Sequence, residues 1–313
     1  MEIRQLRYFV AIADSGSFTK AAERVYVAQS ALSHQLAQLE EELGVDLFER
    51  SRRGVELTEA GQRFFPHAVS ILRQTEEALV SARSTRQEPE GKVVFGIPHS
   101  ASAALALPLL RAVRQRFPRV TLELTEELTG NLSRQLRTGQ IALAVLFDDG
   151  HLGGFAVTRV LSEQLCLIEP AASAVAGRPA RRLTLKQALA QPLILPASPH
   201  GVRPIIEAAA MAAGLPPPKV EADISSISIL RTTLLAGLGR TLLPVMPLQP
   251  DIRAGVLRAV PVVGPRLERV LAVCSSAHIP RSPACQAVAG LAVSLMQRLS
   301  AEGQWEGSRP LPA

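Results

Sequence analysis

The sequence is poor in most features that declare a purpose outright. Its 313 residues include three cysteines, Cys166, Cys274 and Cys285, too few and too scattered for a disulfide scaffold or a zinc site. They read as small buried hydrophobes; a redox pair between Cys166 and Cys274 is the sharper alternative, and nothing around them promotes it. The longest near-apolar stretch, 101–110, is about half of what a membrane span needs. Glu2, Arg4 and Arg7 stand where an export signal needs its apolar core, so a cytoplasmic protein with no membrane partner is expected. There is no nucleophile elbow, no His-Glu-x-x-His, no phosphate-binding glycine loop and no paired cysteine motif. An enzyme would have to assemble its chemistry from isolated residues, and neither a cofactor nor a metal is expected.

A basic excess is also missing where nucleic acid would want it. The net charge is +6, but residues 1–90 hold 11 Lys and Arg against 14 Asp and Glu. Residues 91–313 carry the balance of +9. Any case for DNA must therefore rest on local geometry.

What is present falls into segments. Helical periodicity dominates residues 1–86, and the polar run Gln87-Glu88-Pro89-Glu90-Gly91 suits a hinge. Beyond it, strand-like and helix-like runs alternate: 92–97, 103–117, 120–124, 130–138 and 142–147. That rhythm predicts βαβ units on a mostly parallel sheet. The apolar runs 160–168 and 270–274, far apart in sequence, are candidates for crossover strands between two subdomains. The tail after Ala301 is rich in Gly, Pro and Ser and reads as frayed. The expected organisation is 1–58, 59–90, 91–301 and a flexible 302–313.

In the first segment, Leu6, Phe9, Val10 and Ala13 form one stripe of a helix over 3–14. Gly16 and Ser17 stop it and start a second helix, 18–24, and Tyr26-Val27-Ala28 makes a turn. In the third helix Leu32, Leu36, Leu39 and Leu43 share one arc, while Ser30, Ser33, His34 and Ala37 face away, with Gln29 at the start. Short polar side chains near a helix start suit the major groove; the same face also fits an ordinary solvated surface. The run 47–57 then has apolar ends around Arg50, Arg52, Arg53 and Gly54, the pattern of a small β-wing reaching phosphates or a minor groove.

Ala21-Ala22, Gln29-Ser30-Ala31-Leu32-Ser33, Leu39-Glu40, Leu43-Gly44, Leu47-Phe48-Glu49-Arg50 and Thr58-Glu59-Ala60-Gly61 together resemble the signature of LysR-type transcriptional regulators. The phrases around His34-Gln35 and His200-Gly201 are most similar to the nitrogen-assimilation-control subgroup. The resemblance implies an all-α winged helix-turn-helix head, a long linker helix and a two-subdomain α/β domain like that of periplasmic binding proteins. It implies DNA contacts from Gln29, Ser30, Ser33 and His34, with Arg52 or Arg53 in the wing. Many relatives have Pro at the place of Ser30, and many have Asp at the place of Ala142.

Thr58 caps a helix that can run to about residue 86, some 40 Å. Phe65, Ala68, Leu72, Thr75, Leu79 and Ala82 form a coiled-coil-like seam with Pro66 inside it, which favours a partner helix over packing on the chain's own head. A homodimer follows from the seam; a homotetramer, built as a dimer of dimers, follows only from the resemblance. Double-stranded DNA, a small-molecule effector and RNA polymerase are the other candidate partners. For the effector, Ser100, Ser102 and Thr129 stand at helix starts beyond strand ends and match effector positions in LysR-type relatives, though each also suits a plain N-cap. His200 and Arg203 on the second subdomain face the same way in this reading, and Arg203 suits a carboxylate or phosphate. Pairing with Glu207 one turn on serves Arg203 equally well. His99 and His200 read as polar loop residues, since no second metal ligand follows at metal spacing. A solute-binding protein would explain 92–300 but leaves the first 90 residues without a role.

Overall fold

The computed structural model describes residues 1–51, 54–83, 88–171, 182–197, 201–264 and 267–312. Helices α1 (Ile3–Ser15), α2 (Phe18–Arg24) and α3 (Gln29–Leu43) open the chain. Gly16 ends α1 in a left-handed turn at φ 60°, and the Ser17 hydroxyl then accepts from the Lys20 amide to cap α2. Leu32, Leu36 and Leu39 pack against Leu6, Phe9, Ile12, Ala21 and Ala22 in a single small core. Strands β1 (Phe48–Ser51) and β2 (Gly54–Leu57) pair antiparallel, with Phe48 opposite Leu57. The Val55 amide donates to the Gly16 carbonyl, and Glu40 Oε1 accepts from the amides of Leu47 and Phe48 at 2.7 and 3.3 Å. The wing is thereby fixed to both α1 and α3.

Helix α4 (Glu59–Arg83) follows, capped by Thr58 Oγ1, and runs unbroken through Pro66. Its first half is not free for a partner, and here the sequence expectation needs correction. Ala68 is fully buried, while Phe64, Phe65, Ile71 and Leu72 lie against the head core. Phe9 has the rings of Phe64 and Phe65 at 5.2 and 6.2 Å. The head is too short of apolar residues to close its own core, so α4 completes it. Only farther along does the seam open to solvent, at Leu79 and Ala82.

The remaining chain folds into two lobes. The first contains β3 (Gly91–Pro98), α5 (His99–Arg116), β4 (Val120–Glu127), α6 (Thr129–Arg137), β5 (Leu143–Phe147) and β6 (Phe155–Gln164). The chain then enters the second lobe with β7 (Cys166–Pro170), β8 (Leu183–Thr184), α7 (Leu185–Leu189), β9 (Leu193–Leu195) and α8 (Arg203–Ala212). That lobe continues with β10 (Val220–Asp223), α9 (Ile227–Leu235), β11 (Thr241–Leu243), α10 (Gln249–Arg253) and β12 (Leu257–Val263). The return brings β13 (Glu268–Ser276), α11 (Pro283–Ala301) and β14 (Ser308–Pro310) back to the first. The strand order of the first lobe is β14-β6-β13-β5-β3-β4, and that of the second is β11-β7-β12-β8, with β9 and β10 paired beside it.

The chain therefore crosses between lobes at β6–β7, inside the expected run 160–168, and at β12–β13, just ahead of 270–274. The first sheet is parallel only across β4, β3 and β5; β13, β6 and β14 run antiparallel, because the returning strand comes from the opposite side. That departs from a mostly parallel sheet. The tail is a second correction: Trp305 is fully buried and β14 pairs with β6, so 302–312 is docked rather than frayed. One large aromatic outweighs a Gly- and Pro-rich composition.

Gly61 marks the tightest approach of α4 to the wing. A Cβ there would sit 2.1 Å from the Leu47 carbonyl oxygen, a backbone atom that cannot swing aside. Gly61→Ala should therefore cost about 1–3 kcal/mol, seen as a lower midpoint for thermal loss of helical circular dichroism. An unchanged midpoint would contradict this packing.

Candidate nucleic-acid interface and effector cleft

The head buries the leucine arc of α3 and leaves the opposite face open. Gln29, Ser30, His34 and Ala37 are exposed and Ser33 is half-buried beside a shallow groove shared with Phe18, Leu36, Glu40 and Phe48. Gln29 Oε1 accepts from Thr19 Oγ1 at 3.2 Å, which orients the amide at the start of the helix. Ala28, at the N-cap, supplies no side-chain bond, so the first-turn amides remain available to a phosphate. Arg50 lies in β1 opposite Val55; Arg52 and Arg53 lie outside the described residues. Tyr26, read from sequence merely as part of a turn, is 95% exposed and holds φ at 56°, a strained position for a non-glycine residue.

Between the lobes lies a cleft open to solvent. Ser100 and Thr129 line it, at the starts of α5 and α6, as do Gly201 and Val202 ahead of α8. Two sequence candidates do not reach it. The Ser102 hydroxyl is 3.0 Å from the His99 carbonyl and 2.8 Å from Glu126 Oε1, the carboxylate that also meets His99. Arg203 donates from Nε to Glu207 (2.6 Å) and from Nη1 to Asp223 (2.9 Å), so local pairing, not a ligand, occupies its fork. His200 lies outside the described residues.

Sequence reasoning missed most of the remaining wall: Phe147, Pro196, Ser225, Ile227, Leu243, Glu127 and Arg269. Arg269 is the most consequential. It is 2% exposed, its guanidinium carbon stacks 4.1 Å from the Phe147 ring centroid, and its Nε donates to Glu163 Oε2 at 2.6 Å. Glu163, fully buried, accepts from Trp305 Nε1 on its other oxygen at 2.7 Å. Burial pulls the Arg269 pKa below its ordinary value, against the opposing attraction of Glu163. The available signal was a single cation heading an apolar strand, Arg269-Val270-Leu271-Ala272-Val273.

The linker meets the first lobe at a separate point. Arg73 Nε donates to the Gly139 carbonyl at 2.7 Å, and a Cβ on Gly139 would fall 2.4 Å from Ser70 Oγ.

The cysteines read as inert. All three are buried and none is in a disulfide; burial, with Glu306 adding to it, raises Cys166 to about 11, and burial raises Cys274 to about 12, with Asp148 adding and Arg159 opposing. Native protein at pH 8 should resist iodoacetamide at both and react only when unfolded, as peptide mass mapping would reveal. Because unfolding exposes thiols that ionise near pH 9, stability should fall as pH rises from about 9 toward 12.

An exposed recognition helix with a wing, joined by one helix to a hinged two-lobed domain, is the build of a ligand-responsive DNA-binding regulator. Residues 3–62 match the bacterial regulatory helix-turn-helix protein, lysR family, and residues 86–297 match the LysR substrate binding domain. The chain belongs to the LysR family, as a DNA-binding transcriptional regulator with an effector-binding domain rather than an enzyme. The nitrogen assimilation regulatory protein nac of Klebsiella aerogenes is 34% identical over 97% of this chain and 98% of its own. Its Escherichia coli counterpart is 32% identical over 98% and 99%. In fold the chain is similar to a full-length OxyR variant from Pseudomonas aeruginosa (TM-score 0.69, 22% identity, 95% of each chain). It is likewise similar to full-length CbnR complexed with its target DNA (TM-score 0.68, 24% identity, 95% of this chain and all of that one).

Proposed function

We propose that this regulator works in the cytoplasm as a homodimer, further paired into a tetramer, on an operator of two-fold symmetry. Gln29, Ser30, Ser33 and His34 read base edges and adjacent phosphates, and Arg50, Arg52 and Arg53 of the wing hold the flanking backbone or minor groove. The observation that carries this is the open polar face of α3, set against a fully buried Leu32–Leu36–Leu39 stripe. The exposed Leu79 end of α4 supplies the helix-pairing surface, with two heads meeting two half-sites. No helix among the described residues is long and apolar enough to cross a membrane.

In this reading an effector enters the cleft between the lobes, touching Ser100 and Thr129. Closure alters the first lobe, which holds α4 through the Arg73–Gly139 contact, and so changes head spacing and DNA bend. RNA polymerase is the candidate partner on the promoter. No membrane span or metal takes part in this scheme.

Footprinting on the DNA upstream of the protein's own gene, across a salt series, tests the DNA reading. A protected dyad is expected, with Ser33→Ala weakening binding to the cognate site about 10-fold. Arg52→Ala should weaken all sequences alike and lower the salt slope by about 1. Protection insensitive to both substitutions would overturn the assignment of this face.

A further inference from the structure

We propose that Thr19, on the helix before the recognition helix, is a positioning residue for base reading. Its hydroxyl fixes the Gln29 amide so that this side chain selects adenine and refuses guanine. The inference rests on reading α3 as the base-reading helix and goes further, to a residue of α2 and to the base it dictates.

Gln29 differs from the other candidate readers in one respect. Thr19 Oγ1 donates to its Oε1 at 3.2 Å, whereas no hydrogen bond among the described residues holds the side chains of Ser30, Ser33 or His34. Gln29 is exposed at the first position of α3, and a glutamine left to itself there can turn either end of its amide toward DNA. With Thr19 bound to Oε1, the amide cannot exchange its oxygen and nitrogen ends without losing that bond. The oxygen has two lone pairs, so one remains for a base, beside the two N–H donors.

Thr19 is itself firmly held. Ser17 caps α2, and Phe18 lies against Phe48 of the wing with ring centroids 6.3 Å apart. Ala21 and Ala22 are buried and seat α2 in the head core. Thr19 is β-branched, which leaves its χ1 few choices. As the second residue of α2 it has no helical carbonyl one turn behind it to take the hydroxyl proton, which goes to Gln29 instead.

The edge so presented has a definite complement. An amide offers an acceptor and a donor side by side, matching the N6 amino group and N7 of adenine; guanine shows two acceptors, O6 and N7. Against guanine, a fixed amide brings Oε1 to O6 with no proton between them. A free amide escapes that clash by rotating to present N–H alone. Thr19 therefore acts chiefly by exclusion, denying Gln29 the rotation that would accommodate the wrong purine.

The test is selection from a random duplex pool by full-length protein, sequenced to give the base preference at every operator position. Gln29→Ala should flatten one position in each half-site, where the parent protein prefers adenine over guanine by about 10-fold or more. Thr19→Val keeps the side-chain shape and removes the hydroxyl; it should lower that ratio by about 3- to 10-fold, at that position alone. Thr19→Ser restores the hydroxyl and should return the ratio to nearly that of the parent. A position flattened by Gln29→Ala but untouched by Thr19→Val would overturn the positioning role and leave the base-reading helix standing. An even loss of affinity in Thr19→Val with every preference unchanged would do the same, because that is the behaviour of a phosphate contact. A base other than adenine at the Gln29 position would overturn the proposed amide geometry. Preferences unaltered by Gln29→Ala, or no enrichment of any sequence, would overturn the base-reading assignment and the inference together.

Discussion

The buried pair Glu163–Arg269 is the constraint around which the two-lobed domain is organised. The two residues face each other across the strands that carry the chain out of the first lobe and back into it. Neither charge reaches bulk water, so each depends on the other and on Trp305 for what desolvation removes. Breaking such a pair by removing one partner typically costs about 3–5 kcal/mol. The pair sits beside both crossovers, where β6 leaves the first lobe and β13 returns to it. The cleft, the sheet order and the docked tail all meet at this point.

A second dependency lies in α4. Its first half belongs to the head, where Phe64, Phe65 and Ala68 complete a core that the first three helices cannot close. Its middle touches the first lobe at Gly139, and farther along it exposes Leu79 and Ala82. One rigid element thus has a different attachment at each stage of its length. Through α4, the head and the first lobe are thus joined at the Arg73–Gly139 contact.

Much of this was legible in the sequence, and the failures have physical causes. Helix α2 and the leucine arc of α3 were readable because period, caps and breaker residues agree there. The crossovers were readable as two apolar runs lying far apart in sequence. Ser102 and Arg203 were misplaced because residue type shows what a side chain can bind, not which nearby carboxylate reaches it first. Arg269 was invisible for a related reason: its partner lies 106 residues earlier, and its neighbour Trp305 was hidden in a segment judged on average composition. The linker seam was only half right, since periodicity identifies an apolar face without saying what covers it.

The ends of the first sheet have a bearing on assembly. One edge is β14, three residues long and closed by Pro310, which has no amide to offer another strand. At the other edge β4 exposes Glu123 and Glu126, charges that a neighbouring strand would have to bury. Neither border invites growth of the sheet from molecule to molecule. Copies of this chain are thus steered away from open-ended ribbons built by extending this sheet.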